Sequence, residues 1–187
     1  LTEYSRGDVI KVNLGFNVGN EEGGLHYCIV LDKKNAKSYS TLTVVPLTSL
    51  KETSKKNSTS VFLGNELHNA ILNKVQNILN SIDKENAINY QRKVEKNLDA
   101  NRVVEKITVE ERQALKDFNE KYPLIEKILE EVKQMKKGSI ALINQITTIS
   151  KQRIYNPKKN LDILSGVKIS DEKMKLIDEK IKKLFIN

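Results

Sequence analysis

The chain has 187 residues, enough for one ordinary domain or for a small domain carrying a sizeable insertion. Its single cysteine, Cys28, excludes an internal disulfide and a cysteine-built zinc site, while a formal net charge of +8 suits a polyanionic partner. No stretch nears the roughly 18 apolar residues of a membrane helix and no charged-then-apolar leader opens the sequence, so a reducing cytoplasm is the expected setting.

Residues 1–65 read as β. Asp8 to Leu14 alternates, so that Val9 or Ile10, Val12 and Leu14 share a face at period two. Phe16 to Gly24 is polar and glycine-bearing, an exposed loop. Tyr27 to Leu31 is a short apolar run suited to a buried strand, and Cys28 within it reads as an inert thiol. Leu42 to Leu47 is another β-branched run. Lys51 to Thr59 is a polar connection, and Ser60 to Leu63 is a fourth strand stopped by Gly64-Asn65.

From Glu66 the period changes. Leu67, Ile71, Val75, Ile78 and Ile82 follow at three- and four-residue steps, one face of an amphipathic helix. A thinner stripe of Ala87, Gln91, Val94 and Leu98 predicts a second helix. Thr108-Val109-Glu110-Glu111 is a capping box that opens a third, with Leu115 and Phe118 inward. Pro123 predicts a new turn or a kink near Tyr122. Ile125, Ile128 or Leu129, Val132 and Met135 carry the apolar face to Gly138. These stripes suit a self-packed helical unit or a face offered to a partner helix. Ser139 to Ile149 returns to β, Lys151 to Asn160 is basic and turn-like, and Ser170-Asp171-Glu172 starts a last helix. Residues 66–137 carry 14 Lys/Arg and 13 Asp/Glu, so the flanking residues hold almost all of the positive excess.

Several segments carry a resemblance. Arg6-Gly7-Asp8-Val9-Ile10, Val18-Gly19-Asn20-Glu21-Glu22-Gly23-Gly24, Tyr27-Cys28-Ile29-Val30-Leu31, Val44-Val45-Pro46-Leu47-Thr48-Ser49 and Ile140-Ala141-Leu142-Ile143-Asn144-Gln145 together resemble the MazF/PemK (Kid-like) toxins, endoribonucleases that cut single-stranded RNA. The resemblance covers residues 4–65 and 138–187 and leaves out the middle. It implies an α+β chain: a small SH3-like β-barrel of the MazF/CcdB type with a C-terminal helix, formed by 1–65 and 138–187 and interrupted by a helical insertion, 66–137. Without it, a generic α+β domain lacking a barrel fits the pattern equally.

Metal-independent RNA cleavage needs a base for the 2′-OH, a stabiliser for phosphoryl oxygens and an acid for the departing 5′-oxygen. The resemblance places a hydroxyl at Thr48, which would orient phosphate. His26 stands in Gly23-Gly24-Leu25-His26-Tyr27, where the family commonly has arginine, and an imidazole can move protons near neutrality. Asn144 replaces an acidic residue of some relatives, and Thr147-Thr148-Ile149 replaces an Arg-Thr-Ile pattern. Gln145 and Lys151-Gln152-Arg153 match. The expected RNA-binding set is Asn20, Asn144, Gln145, Lys151 and Arg153, with no metal and no cofactor. The implied partners are single-stranded RNA, a cognate antitoxin and a second copy of the chain. The departures keep open a catalytically degenerate MazF/CcdB-like module that binds RNA, gyrase or another protein and cuts nothing. His68 reads as a surface residue, and Phe16, Tyr27 and Tyr39 as core or rim aromatics. The helical block would restrict substrate choice or dimer geometry, or cover the site.

Overall fold

A computed structural model describes residues 3–50, 58–98, 106–136 and 138–186. Most of the polar connection expected at Lys51–Thr59 lies outside the described residues. In chain order the elements are β1 (Tyr4–Ser5), β2 (Val9–Asn13), β3 (Leu25–Val30), β4 (Lys34–Asn35), β5 (Thr41–Ser49) and β6 (Ser60–Gly64). Helices α1 (Glu66–Asn80), α2 (Lys84–Leu98) and α3 (Val109–Gln134) follow, then β7 (Ser139–Leu142), β8 (Thr147–Ser150), β9 (Ile154–Asn156) and α4 (Asp171–Phe185). The chain is α+β. No helix among the described residues is long and apolar enough to cross a membrane.

The main sheet runs β6-β7-β5-β3-β2-β9, and β8 lies on the first half of β5. All of its pairings are antiparallel. Among the described residues no ladder joins β6 to β9, so the closed barrel expected from the resemblance is not seen. The sheet is buried on both faces instead. Val9, Ile29 and Val45 point into one core, and their neighbours Ile10, Cys28, Val30 and Val44 into the other. Two covered faces need continuous apolar runs rather than alternation, which is the composition of β3 and the middle of β5.

The smaller core holds Tyr4, Val12, Leu42, Ile149 and Ile154, with the Tyr4 hydroxyl donating to the Pro157 carbonyl at 2.7 Å. The larger core is where the helices dock. Leu67, Ile71 and Val75 of α1, Ile125 and Ile128 of α3, and Met174 and Ile177 of α4 pack with Leu47, Val61 and Leu63. So α1 and α3 spend their stripes on the sheet, while α2 lies along α3. Arg6 ties the start of the sheet to α4 by bonding the Leu31 carbonyl and Asp178.

The helical block departs and returns at one point. Gly64 of β6 is paired with Ser139 of β7, so the whole block occupies the place of a hairpin turn. Within it, the Thr108 capping box forms as the sequence suggests. Pro123 does not open a new element: α3 runs unbroken through it. The carbonyl that loses its donor there belongs to Asn119, and both residues are exposed, so water can satisfy it. The β return after the block is split, with a 3-10 turn at Ile143–Gln145 between β7 and β8.

Candidate functional site

The loop between β2 and β3 is closed at its neck by two backbone bonds, Leu14 N–H to Gly24 O at 2.7 Å and Gly24 N–H to Gly15 O at 2.8 Å. Gly24 has φ +75°, a conformation that side chains rarely adopt, and a Cβ on Gly23 would lie 3.0 Å from the Gly15 oxygen. The Gly-Gly pair is thus required by the neck itself. Gln145 latches the loop from the 3-10 turn between β7 and β8. Its side-chain oxygen accepts from the Glu22 N–H at 2.7 Å, and its amide donates to the Asn20 carbonyl at 3.2 Å. Asn17 donates to the Glu22 carbonyl, while Phe16 and Val18 stand out in solvent.

Under this loop lies a groove of about 340 Å³, walled by Glu21, Glu22, Asn144, Gln145, Thr148 and Arg153. Three of the five expected RNA-binding residues therefore converge here. Arg153 is exposed and donates to the Leu14 carbonyl at 3.1 Å, which aims its guanidinium along the groove mouth. Asn20 is exposed on the loop, its carbonyl taken by Gln145. Lys151 departs from expectation. It is 5% exposed, and its ammonium donates to the Ala36 carbonyl at 2.8 Å and lies 5.7 Å from the Tyr4 ring centre. Burial depresses its pKa, opposed by Asp32 and Glu3. It braces the turn before β9, and its charge does not face a bound strand.

His26 is carried on β3 between Leu25 and Tyr27, two residues that line a second cavity. Its Nδ1 donates to the Leu47 carbonyl at 3.2 Å, and its Nε2 sits 3.3 Å from the Glu22 carboxylate. The side chain is 22% exposed, and the contact with Glu22 is an ion pair only when the ring carries a proton on both nitrogens. β3 and β5 pair Cys28 with Pro46, Ile29 with Val45 and Val30 with Val44. The ladder runs as far as Cys28 and Pro46; beyond it, Leu47, Thr48 and Ser49 pair with β7.

Thr48 itself opens onto the second cavity, of about 300 Å³, between the end of β5 and the helical block. Lys11, Tyr27 and Glu131 form its polar wall. Lys11 pairs with Glu131 at 2.6 Å, Tyr27 donates to the same carboxylate oxygen, and the Lys11 ammonium lies 5.1 Å from the Tyr27 ring centre. Burial alone would raise the Glu131 pKa; hydrogen bonds from Lys11 and Tyr27 outweigh it and hold the carboxyl below the usual glutamate range. Burial, then Glu131, push the Tyr27 phenol well above its usual value. Burial pushes the Cys28 thiol up to about 12, so it is inert as a nucleophile.

His68 also lines this cavity, from the first turn of α1, and is half-buried rather than on the surface as expected. Its Nδ1 is sealed from solvent without a hydrogen-bond partner among the described residues. Ser49, Lys136 and Ser139 complete that side. The sequence did not flag this cavity because Tyr27 and Glu131 meet across 104 positions and no local motif joins them. Among the described residues no group of three His, Cys, Asp or Glu side chains could hold a metal ion.

A small antiparallel sheet covered on both faces, with a latched glycine loop at one end and helices packed on it, makes this an α+β protein. The chain belongs to the PemK-like, MazF-like toxins of type II toxin–antitoxin systems, whose family model matches residues 5–108, more than half of its length. The match runs through α1 and α2, so it reaches into the helical block that the resemblance left out, and it stops before the second β segment. No curated protein matches the chain.

Proposed function

We propose that this toxin is a sequence-selective, metal-independent endoribonuclease that cuts single-stranded RNA by attack of a 2′-OH on the adjacent phosphorus. The observations that support this reading are His26 held against the carbonyl of Leu47, the residue before Thr48 at the end of β5, and a groove walled by Asn144, Gln145 and Arg153. Arg153 would contact the RNA backbone, Asn144 and Gln145 would read base edges, and the Thr48 hydroxyl would hold a phosphoryl oxygen. His26 would move a proton once Glu22 swings away, which requires the Gln145 latch to open. Asn20, carried on the same loop, would then be freed to meet the strand.

Residues 66–137 are, in this reading, an insertion into the β6–β7 hairpin of a sheet equivalent to an opened SH3-like barrel. A cognate antitoxin, a second copy of the chain and a cytoplasmic site of action complete the proposal. The Leu47 carbonyl and the Glu22 carboxylate set against the two His26 nitrogens favour one competing reading, a module that binds RNA or a protein and cuts nothing. Incubating purified protein with a long single-stranded RNA in EDTA, then sequencing the ends, separates the two. Discrete cuts bearing 2′,3′-cyclic or 3′-phosphate ends, lost in His26→Ala, support the enzyme. Intact RNA at saturating protein supports the binding module.

A further inference from the structure

We infer that the Thr48 cavity is a nucleobase pocket in which Glu131, supplied by the helical block, selects a base that carries an amino group. This deepens the ribonuclease reading and rests on it. Glu131 stands in the last turn of α3, and its carboxylate meets two residues of the sheet. Lys11 and Tyr27 are partners in the β2–β3 ladder, and both donate to the same oxygen, Oε1. The second oxygen, Oε2, receives no hydrogen bond among the described residues. Unlike the His68 nitrogen it is not sealed: the Glu131 side chain is 20% exposed, and Oε2 reaches solvent. The bonds from Lys11 and Tyr27 keep the carboxyl ionised, so Oε2 is a standing acceptor in the cavity wall.

The rest of the cavity suits the flat faces of a base. Leu25, Leu47, Leu67, Met135 and the Tyr27 ring give apolar walls. The volume of about 300 Å³ lies at the lower edge of small-ligand pockets, about 300–1,000 Å³. Leu25, Gln134 and Lys136 are exposed, so the cavity opens to solvent on their side. A phosphate is the poorer occupant. The Lys11 charge is already paired with Glu131, and the carbonyl end of α3 adds negative potential where Gln134 and Met135 line the cavity. Thr48 lines the same cavity, which brings a base and the phosphate it carries into one site. Unstacked bases of single-stranded RNA are read on their Watson–Crick edges. Adenine, cytosine and guanine each offer an amino group to a carboxylate. Uracil offers a ring N–H flanked by two carbonyl oxygens, which the carboxylate repels.

The experiment maps cut sites on a long random-sequence RNA for the parent and for Glu131→Gln. The parent should disfavour uracil at one position of its motif by at least about fivefold. Replacing that base in a short substrate by its analogue without the amino group (purine riboside, zebularine or inosine) should slow cleavage to a similar extent. In Glu131→Gln the Lys11 ammonium holds the amide oxygen in the place of Oε1, so the NH₂ group takes the place of Oε2. An acceptor becomes a donor, and the preference should shift towards uracil, whose O4 accepts. Circular dichroism checks that the variant folds, and the analogue substrates need no variant. The chain has two methionines, Met135 in this cavity and Met174 in the larger core, so methyl NMR reads occupancy separately from cleavage. RNA with a 2′-deoxy nucleotide at the cut should shift the Met135 methyl and leave Met174 in place. A parent that tolerates uracil at every position, or cuts the analogue as fast, overturns the pocket and leaves the enzyme reading standing. So does a Met135 methyl that ignores RNA; one that moves instead with butylammonium gives the cavity to a lysine of a protein partner. A parent that cuts no RNA under any condition overturns both.

Discussion

Removing the charge from Glu131 while keeping its shape, as in Glu131→Gln, strips the Lys11 ammonium of its ion-pair partner where the two side chains are only 21% and 20% exposed. The loss at neutral pH should be about 1.5–3 kcal/mol, the range for hydrogen bonds to charged groups. The Glu131 carboxyl titrates lower in the folded chain than in the unfolded one. Its stabilisation is therefore complete above the unfolded value, about 4.3, and disappears as pH falls through the folded value. Urea unfolding from pH 7 to pH 3 should show the gap between parent and variant narrowing in acid. A gap that stays constant to pH 3 would mean that the carboxylate charge contributes nothing. Lys74 shows the opposite case. Burial lowers its ammonium to about 8, against the charge of Asp162, although it donates to the carbonyls of Asp162, Ile163 and Ser165 at 2.7–3.0 Å. A depressed lysine favours the folded state increasingly as pH rises from about 8 toward the unfolded value near 10.4.

Among the elements, the latched loop between β2 and β3 is the one whose position decides access to His26. Gln145→Ala removes both side-chain bonds that hold Asn20 and Glu22. The Glu22 amide should then exchange with deuterium at least about tenfold faster, while global stability changes by less than about 3 kcal/mol, the upper net worth of two such hydrogen bonds. Unchanged exchange at Glu22 would show that the neck bonds alone fix the loop. The elements were the most legible layer of the sequence, for identifiable reasons. The α1 stripe, the Thr108 box and the Ser170 cap are local patterns with one physical solution each, and they fold as read. Of the two outcomes expected at Pro123, the new turn did not form, because the orphaned Asn119 carbonyl is exposed to water, which is a fact about the assembled fold. Lys151 was misread for the same reason: a lysine in a basic turn looks solvated until Tyr4 and Ala36 close over it.

For the molecule as a whole, the helices and the sheet share one core, so cutting the block out is not neutral. Replacing residues 66–137 with a short turn preserves the Gly64–Ser139 pairing but removes Leu67, Ile71, Val75, Ile125 and Ile128 from beneath Leu47, Val61 and Ala141. At about 1.5–3 kcal/mol per large buried side chain, the loss is comparable with the whole stability of a typical domain, about 5–15 kcal/mol. The truncated chain should lack a cooperative thermal transition and bind a hydrophobic dye such as ANS. A sharp transition near that of the parent would show that the smaller core suffices alone. Cavities are the least legible layer in a sequence, because they are built from what the topology juxtaposes: Tyr27 with Glu131, and Thr48 with His68. The adjacency of Gly64 and Ser139 has its own consequence. Because both ends of the block are clamped in the same ladder, any tension generated within the helices, by a ligand, a modification or a pulling partner, is delivered as shear across one pair of strands whose near end adjoins Thr48. A protein wired in this way needs no second hinge to transmit a signal from its helices to the Thr48 cavity.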